Sequence, residues 1–289
     1  GEYVDSYIFG FADDTALIFK SREDLEQGTN IVISIFERMG LGVHTGRAGV
    51  PESKTAAMYV PAEPERGVQG GQEISRTTTD IKITVDDEEG GGRYVPMADD
   101  YIYLGYLLSS SLSDAPAIRA RMTAACGLFG SLRRDLLGTK EANAEVKRTV
   151  FVGMVLPMML YGVEVWNVTE GIQQEMNTTY RRMVRSMSRI NLRTTRQHRI
   201  SHRLLCSQLG IQDLQWYMDV RRLGWAGHMA RMSPSRLPRQ LLTSYCATPR
   251  RVGAPVMTFG RVLKAALERK GLTTTPAPPN NPPPPPPTL

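Results

Sequence analysis

The sequence predicts an α+β fold, with a small strand-rich region leading into a larger helical one. Three observations point to it. Tyr7, Ile8, Phe9 and Phe11 precede Asp13-Asp14, and Ala16, Leu17, Ile18 and Phe19 follow, which is the pattern of a buried β-hairpin with carboxylates at its tip. From Ala115 onward, apolar residues recur at helical spacing. The charge also divides along the chain. Gly1 to Gly105 holds 9 Lys+Arg against 19 Asp+Glu, while the remainder holds 26 against 10, a net of −10 followed by +16. Such asymmetry fits a basic region that meets a polyanion, joined to an acidic region with another task.

The elements follow in order. After the hairpin, Ser21 caps a helix with Glu23 and Asp24 in its first turn. Leu25, Val32, Ile35, Phe36 and Met39 mark its expected buried face, and Gly40 ends it. Residues 42–51 read as a loop, 55–60 and 81–85 as short strands, and 101–108 as another strand. The polar, Gly-rich stretch 61–93 reads as a flexible insert. Helices are expected at about 115–136, 140–165, 170–190, 196–209, 212–231 and 257–270. Beyond Thr273 the tail holds 9 of the 19 prolines and reads as disordered or polyproline. No internal repeat is evident. The expected domains are 1–110, 111–240, a short helical extension at 241–272, and the tail at 273–289.

Composition excludes several classes. A chain of 289 residues that is 41% hydrophobic can bury a real core. No apolar run reaches the roughly 20 residues that cross a bilayer. Residues 150–165, interrupted by Gly153, Pro157 and Glu164, read as a buried helix. Cys126, Cys206 and Cys246 are odd in number and far apart, so neither a disulfide framework nor a zinc ribbon is expected, and a reducing intracellular compartment is. The N-terminus has no signal-peptide pattern. It opens without Met in strand-like sequence, which reads as the start of a fragment.

Asp13-Asp14 is the central chemical clue. Adjacent carboxylates repel, and a divalent cation such as Mg²⁺ compensates them because it prefers carboxylate and phosphate oxygens. Most Asp-Asp pairs lie in surface turns, so the context has to decide. Phe11-Ala12-Asp13-Asp14-Thr15-Ala16-Leu17 resembles the [FY]-A-D-D signature of reverse transcriptases, in the form found in non-LTR (LINE-type) retrotransposons. Lys54-Thr55-Ala56-Ala57-Met58 resembles the K-T pair that precedes a palm strand in that family. Tyr103-Leu104-Gly105, followed by Ser109-Ser110, resembles the primer grip. Leu160-Tyr161-Gly162-Val163-Glu164-Val165-Trp166 is similar to its L-L-Y-G-x-E-x-W string. Gly224-Trp225-Ala226-Gly227-His228-Met229-Ala230-Arg231-Met232 is similar to its W-x-G-H-x-x-R-M string. The five strings occur in the family's order, between about Asp5 and Pro238.

The resemblance implies a partial polymerase palm followed by a mainly helical thumb and C-terminal region. It implies an RNA-directed DNA polymerase that uses two Mg²⁺ ions, an RNA template, a DNA primer and deoxynucleoside triphosphates. In that scheme Asp13 and Asp14 are Mg²⁺ ligands. Lys54 lies near the incoming triphosphate, and Tyr103, Leu104 and Gly105 place the primer's 3′ end. The family also implies action in the nucleus, on a nicked chromosomal 3′-hydroxyl. Two departures qualify this. The segment from Val43 to Pro51 is longer than in relatives. The family's other palm aspartate, on a strand well upstream of the hairpin, would fall before Gly1. The chain alone is therefore expected not to polymerise.

The basic region gives a separate argument. Arg181, Arg182, Arg185, Arg189, Arg193, Arg196, Arg199 and Arg203 fall in a stretch without any acid, at spacings that can line one helical face. Arginine offers planar, bidentate contacts to phosphate, so a nucleic-acid interface is expected, the alternative being a solvated basic face. His198, His202 and Cys206, at i, i+4 and i+8, could face one another on one helix, but core packing is the better reading for Cys206. Trp216, Tyr217, Trp225 and His228 also read as core. Two other readings remain open: a non-catalytic nucleic-acid-binding remnant of a decayed or co-opted retroelement, and, third, a group II intron maturase.

Overall fold

The computed structural model describes residues 8–47, 53–60, 80–83, 92–243 and 259–272. The expected Pro-rich tail and most of the expected insert lie outside these. The chain divides into two units, one spanning Tyr3–Ala120 and the other running from Arg121 to Leu289.

The first unit opens with β1 (Ile8–Phe11) and β2 (Asp14–Leu17), an antiparallel hairpin closed by the pair Phe11↔Asp14. Helix α1 (Arg22–Arg38) follows, and the Ser21 hydroxyl accepts the Asp24 N–H as its N-cap. The helix packs on a three-stranded antiparallel sheet of order β3-β5-β4, made of β3 (Gly46–Arg47), β4 (Ile81–Ile83) and β5 (Arg93–Val95). Ile33, Ala57, Ile81 and Val95 form its core, with Leu25, Val43 and Met97 against them. A second hairpin, β6 (Asp100–Tyr103) with β7 (Tyr106–Ser109), completes the unit.

Several sequence expectations change here. The hairpin tip is where it was expected, but its strands are not buried: Ile8 and Phe11 are about two-thirds exposed. Among the described residues no third strand pairs with it, and an isolated two-stranded ribbon cannot cover its own faces. On α1 the expected face is rotated, since Ile35 and Met39 are exposed and Ile33 is buried. The inward stripe includes Asn30, which donates to the Lys82 carbonyl, and Glu37, which holds buried Arg93 at 2.6 Å. Polar residues with partners thus occupy positions that an apolar periodicity misses. The expected strand at 55–60 is reduced to one parallel bridge, Ala57↔Met97. The expected single strand at 101–108 is a hairpin. Within the expected insert, Ile81–Ile83 and Arg93 belong to the sheet.

Helix α2 (Ala115–Leu132) runs on into a π turn at Arg133–Leu137. In the second unit α3 (Ala144–Val150), a π turn (Phe151–Val155) and α4 (Leu156–Met159) form one interrupted rod. Pro157 explains the interruption, because it has no N–H to donate one turn back and its ring crowds that carbonyl. The helix expected to reach residue 165 ends at Met159, and Gly162, at φ 86°, turns the chain. Then come α5 (Glu170–Met187), α6 (Leu192–Gln197), α7 (His202–Gln208), α8 (Leu214–Arg231), α9 (Leu237–Thr243) and α10 (Phe259–Arg269). Phe151, Trp166, Met176, Tyr180, Met183 and Met187 are fully buried at the centre of this unit. No helix among the described residues is long and apolar enough to cross a membrane.

Candidate functional site

In the first unit Ala12 and Asp13 form the two-residue loop between β1 and β2, so Asp13 and Asp14 stand exposed at the tip. Ala12 takes φ 54°, a left-handed conformation that costs a non-glycine residue about 1–2 kcal/mol. Local strain of this kind gathers at functional sites.

Lys54 is exposed, and its main chain is held on both sides. Its N–H donates to His44 Nδ1 at 3.1 Å, and its carbonyl accepts the Tyr101 hydroxyl at 2.7 Å. Tyr101 also feels the Asp14 carboxylate: burial first, and then that charge, raise its phenol above the ordinary value. Tyr101 and the Lys54 backbone are thereby joined from two separate stretches of sequence, within range of the Asp14 charge. Sequence reasoning had left both His44 and Tyr101 without a role. Tyr103 lies two residues from Tyr101 on the same half-buried face of β6, closing the second hairpin opposite Tyr106. Leu104 at φ 49° and Gly105 at φ 72° make the tight turn, in which both central residues are left-handed.

In the second unit seven of the eight arginines are exposed and Arg185 is half-buried. They do not line one helix. Arg181, Arg182 and Arg185 lie on α5, opposite its buried stripe of Ile172, Met176, Tyr180 and Met183. Arg189 and Arg199 sit at helix ends with φ 58° and 49°. Arg193 and Arg196 lie on α6, and Arg203 on α7. The expected helix at 196–209 is broken at residues 198–201, where Ser201 caps α7 by accepting the Leu204 N–H. Consequently His198 cannot share a helical face with His202 and Cys206. The latter two remain neighbours, with Sγ 3.4 Å from Nε2. Burial lowers the His202 pKa and raises the Cys206 thiol to about 11, so this thiol is inert packing.

The Leu160–Trp166 string meets helix α8, just ahead of the Gly224–Met232 string, in one polar network. Arg222 of α8 donates to the carbonyls of Val163 and Trp166, at 3.1 and 3.3 Å. Asp219, one turn earlier, takes a bidentate pair from Arg269 of α10, both bonds 2.8 Å. Arg221 pairs with Glu164 at 3.8 Å, and Arg121 stacks over the Tyr161 ring. Asp219, Arg221 and Arg222 of α8 are therefore structural, and the clue in the sequence is charge, at Asp219 and Arg222, among the buried positions Leu214 and Met218. Of the aromatics expected in the core, Trp216 and His228 are exposed, and Trp216 carries Lys270 over its ring.

Comparison with known proteins finds one relationship of note. The chain is 23% identical over 226 residues to an uncharacterized transposon-derived protein of Caenorhabditis elegans, covering 78% of this chain and 72% of that one. No family model and no solved structure matches. The chain is thus related to transposon-derived sequence.

Proposed function

We propose that this chain carries the later palm and the thumb of a non-LTR retroelement reverse transcriptase, an RNA-directed DNA polymerase. The observation that supports it most is the exposed Asp13-Asp14 tip of the first hairpin, with the Tyr101–Lys54 contact in the same unit. Two adjacent, exposed carboxylates suit Mg²⁺, which keeps several waters and binds through one or two carboxylates and substrate phosphates. When bound, a metal pair activates the attacking hydroxyl and stabilises the leaving oxygen. In this reading Asp13 and Asp14 hold the ions. Lys54, its backbone pinned by His44 and Tyr101, presents its ammonium to the deoxynucleoside triphosphate. The Tyr103-Leu104-Gly105 turn lets a primer backbone approach closely, and the arginines of the second unit track the RNA–DNA duplex. Action on nuclear DNA follows from the same reading.

A second reading, a non-catalytic nucleic-acid-binding remnant, has its own support. Among the described residues, no group of three His, Cys, Asp or Glu side chains is placed to hold a metal. Two assays separate the readings. Mn²⁺ binding, followed by electron paramagnetic resonance, should weaken at least about tenfold in Asp13→Asn/Asp14→Asn if this tip is the metal site. The second assay is primer extension on RNA. Equal Mn²⁺ binding by wild type and variant, with duplex binding intact, would leave only the remnant. Extension by wild type that is lost in Asp13→Asn would establish the polymerase.

A further inference from the structure

Five helices among the described residues end in the same way, with a left-handed residue whose successor's N–H bonds back to the carbonyl five positions earlier. Three of them use glycine there: Gly40, Gly210 and Gly271. The other two use Arg189 and Arg199. Glycine takes this conformation without cost and arginine does not.

The two arginine corners are equivalent. Ile190 N–H bonds the Arg185 carbonyl and Ile200 N–H the Thr195 carbonyl, each at 3.0 Å. The next residue caps the following helix, with Asn191 accepting the Thr194 N–H and Ser201 the Leu204 N–H. Two residues further on stands another exposed arginine, Arg193 or Arg203. A ten-residue unit is therefore used twice. The repeat is too short and too partial to register in the sequence, where only Arg-Ile-(Asn/Ser)-x-Arg is shared.

The third corner of the series is an internal control. Gly210-Ile211 makes the same turn, with Ile211 bonded to the Cys206 carbonyl, but one further residue, Gln212, precedes its cap, Asp213. It has glycine at the left-handed position and Gln215 where the others carry the second arginine. A Cβ at Gly210 would also press on the Arg148 side chain, 3.3 Å away. Arg189 also stands close enough to the buried Lys147 for its charge to oppose that ammonium, and neither corner pairs with a carboxylate among the described residues. The left-handed backbone thus carries a cost at both corners, and the neighbouring ammonium a second one at Arg189.

We propose that Arg189 with Arg193, and Arg199 with Arg203, form two equivalent grips on backbone phosphates of a bound nucleic acid. This rests on the reading of the second unit as a nucleic-acid interface and names the positions that do the gripping. The two pairs hold the backbone in register rather than reading bases, so they are indifferent to sequence.

The test sets binding against stability in Arg189→Gly/Arg199→Gly. Its probe is a fluorescently labelled RNA–DNA hybrid, with anisotropy measured across a salt series. The double variant should melt no lower than wild type, because glycine relieves both strained corners. Its slope of log affinity against log salt should become shallower by about two, one per arginine removed. Arg22→Gln/Arg47→Gln, with the same loss of charge in the first unit, should leave the slope unchanged. An unchanged slope in the glycine variant, with wild-type binding intact, overturns the grips alone. A lower melting midpoint overturns them too, by making the arginines structural. Absence of wild-type binding to the hybrid, with or without binding to anionic vesicles, removes the underlying reading as well.

Discussion

Asp219 and Arg222 lie one turn apart on α8 and are 2% and 5% exposed. Charges so buried persist only when paired and hydrogen-bonded, and each has its partners: Arg269 and Gln215 for the acid, the Val163 and Trp166 carbonyls for the base. Asp219→Ala leaves Arg269 without its bidentate partner and removes the larger of the two counter-charges that act on Arg222, the other being Glu164. Since the Arg269 side chain is 42% exposed and can turn to water, the expected loss is about 2–3 kcal/mol, below the full cost of breaking a buried pair. Urea unfolding measures it, and a loss under about 1 kcal/mol would show that the network is dispensable. His202 couples stability to pH. Burial, then Arg181, depress its folded pKa below the ordinary 6.5, while Asp213 opposes them. The folded state then binds fewer protons than the unfolded one. The neutral ring's contribution is present above pH 6.5 and is lost as pH falls from there through the lowered folded value. Wild type should lose more melting temperature than His202→Gln between about pH 7 and pH 5. Parallel curves would place the proton elsewhere.

Elements show how far local chemistry reaches. The β6–β7 turn needs left-handed residues at both Leu104 and Gly105, yet only the second is glycine. Gly105→Ala should therefore cost about 1 kcal/mol, and Leu104→Asn should recover a fraction of that, read as shifts in the urea midpoint. If Gly105→Ala is neutral, the turn is not held in this form. The broken helix at 198–201 obeys the same physics from the other side. Nothing in Gln197-His198-Arg199-Ile200 announces a stop, because arginine is a good helix former, and only the left-handed Arg199 and the Ser201 cap reveal it. Glycine at that position would have made the break legible.

Across the whole molecule the charge division carries the clearest expectation. The strand-rich part is acidic, while the helical part holds eight arginines in a stretch of sequence free of carboxylates. If all eight met phosphates, log affinity would fall against log salt with a slope of about −7, and fewer contacts would give a proportionally shallower line. A salt-independent affinity for the hybrid would mean that this basic surface is merely solvated.

What the sequence determined by itself was local. Apolar runs around Asp13-Asp14 made the hairpin and its tip readable, helical periodicity placed α5 and α8 within a few residues, and the absence of acids between Arg181 and Arg203 marked the basic surface. These depend on neighbours within a turn or two, so the pattern is written in adjacent residues. Only the tertiary structure decided that Tyr101 joins Lys54, that Arg222 binds a turn 59 residues away, and that Arg189 and Arg199 sit in strained corners. Contacts across such separations, and the sign of a backbone angle, leave no periodic trace. They arise when packing brings buried polar groups together that must then satisfy one another.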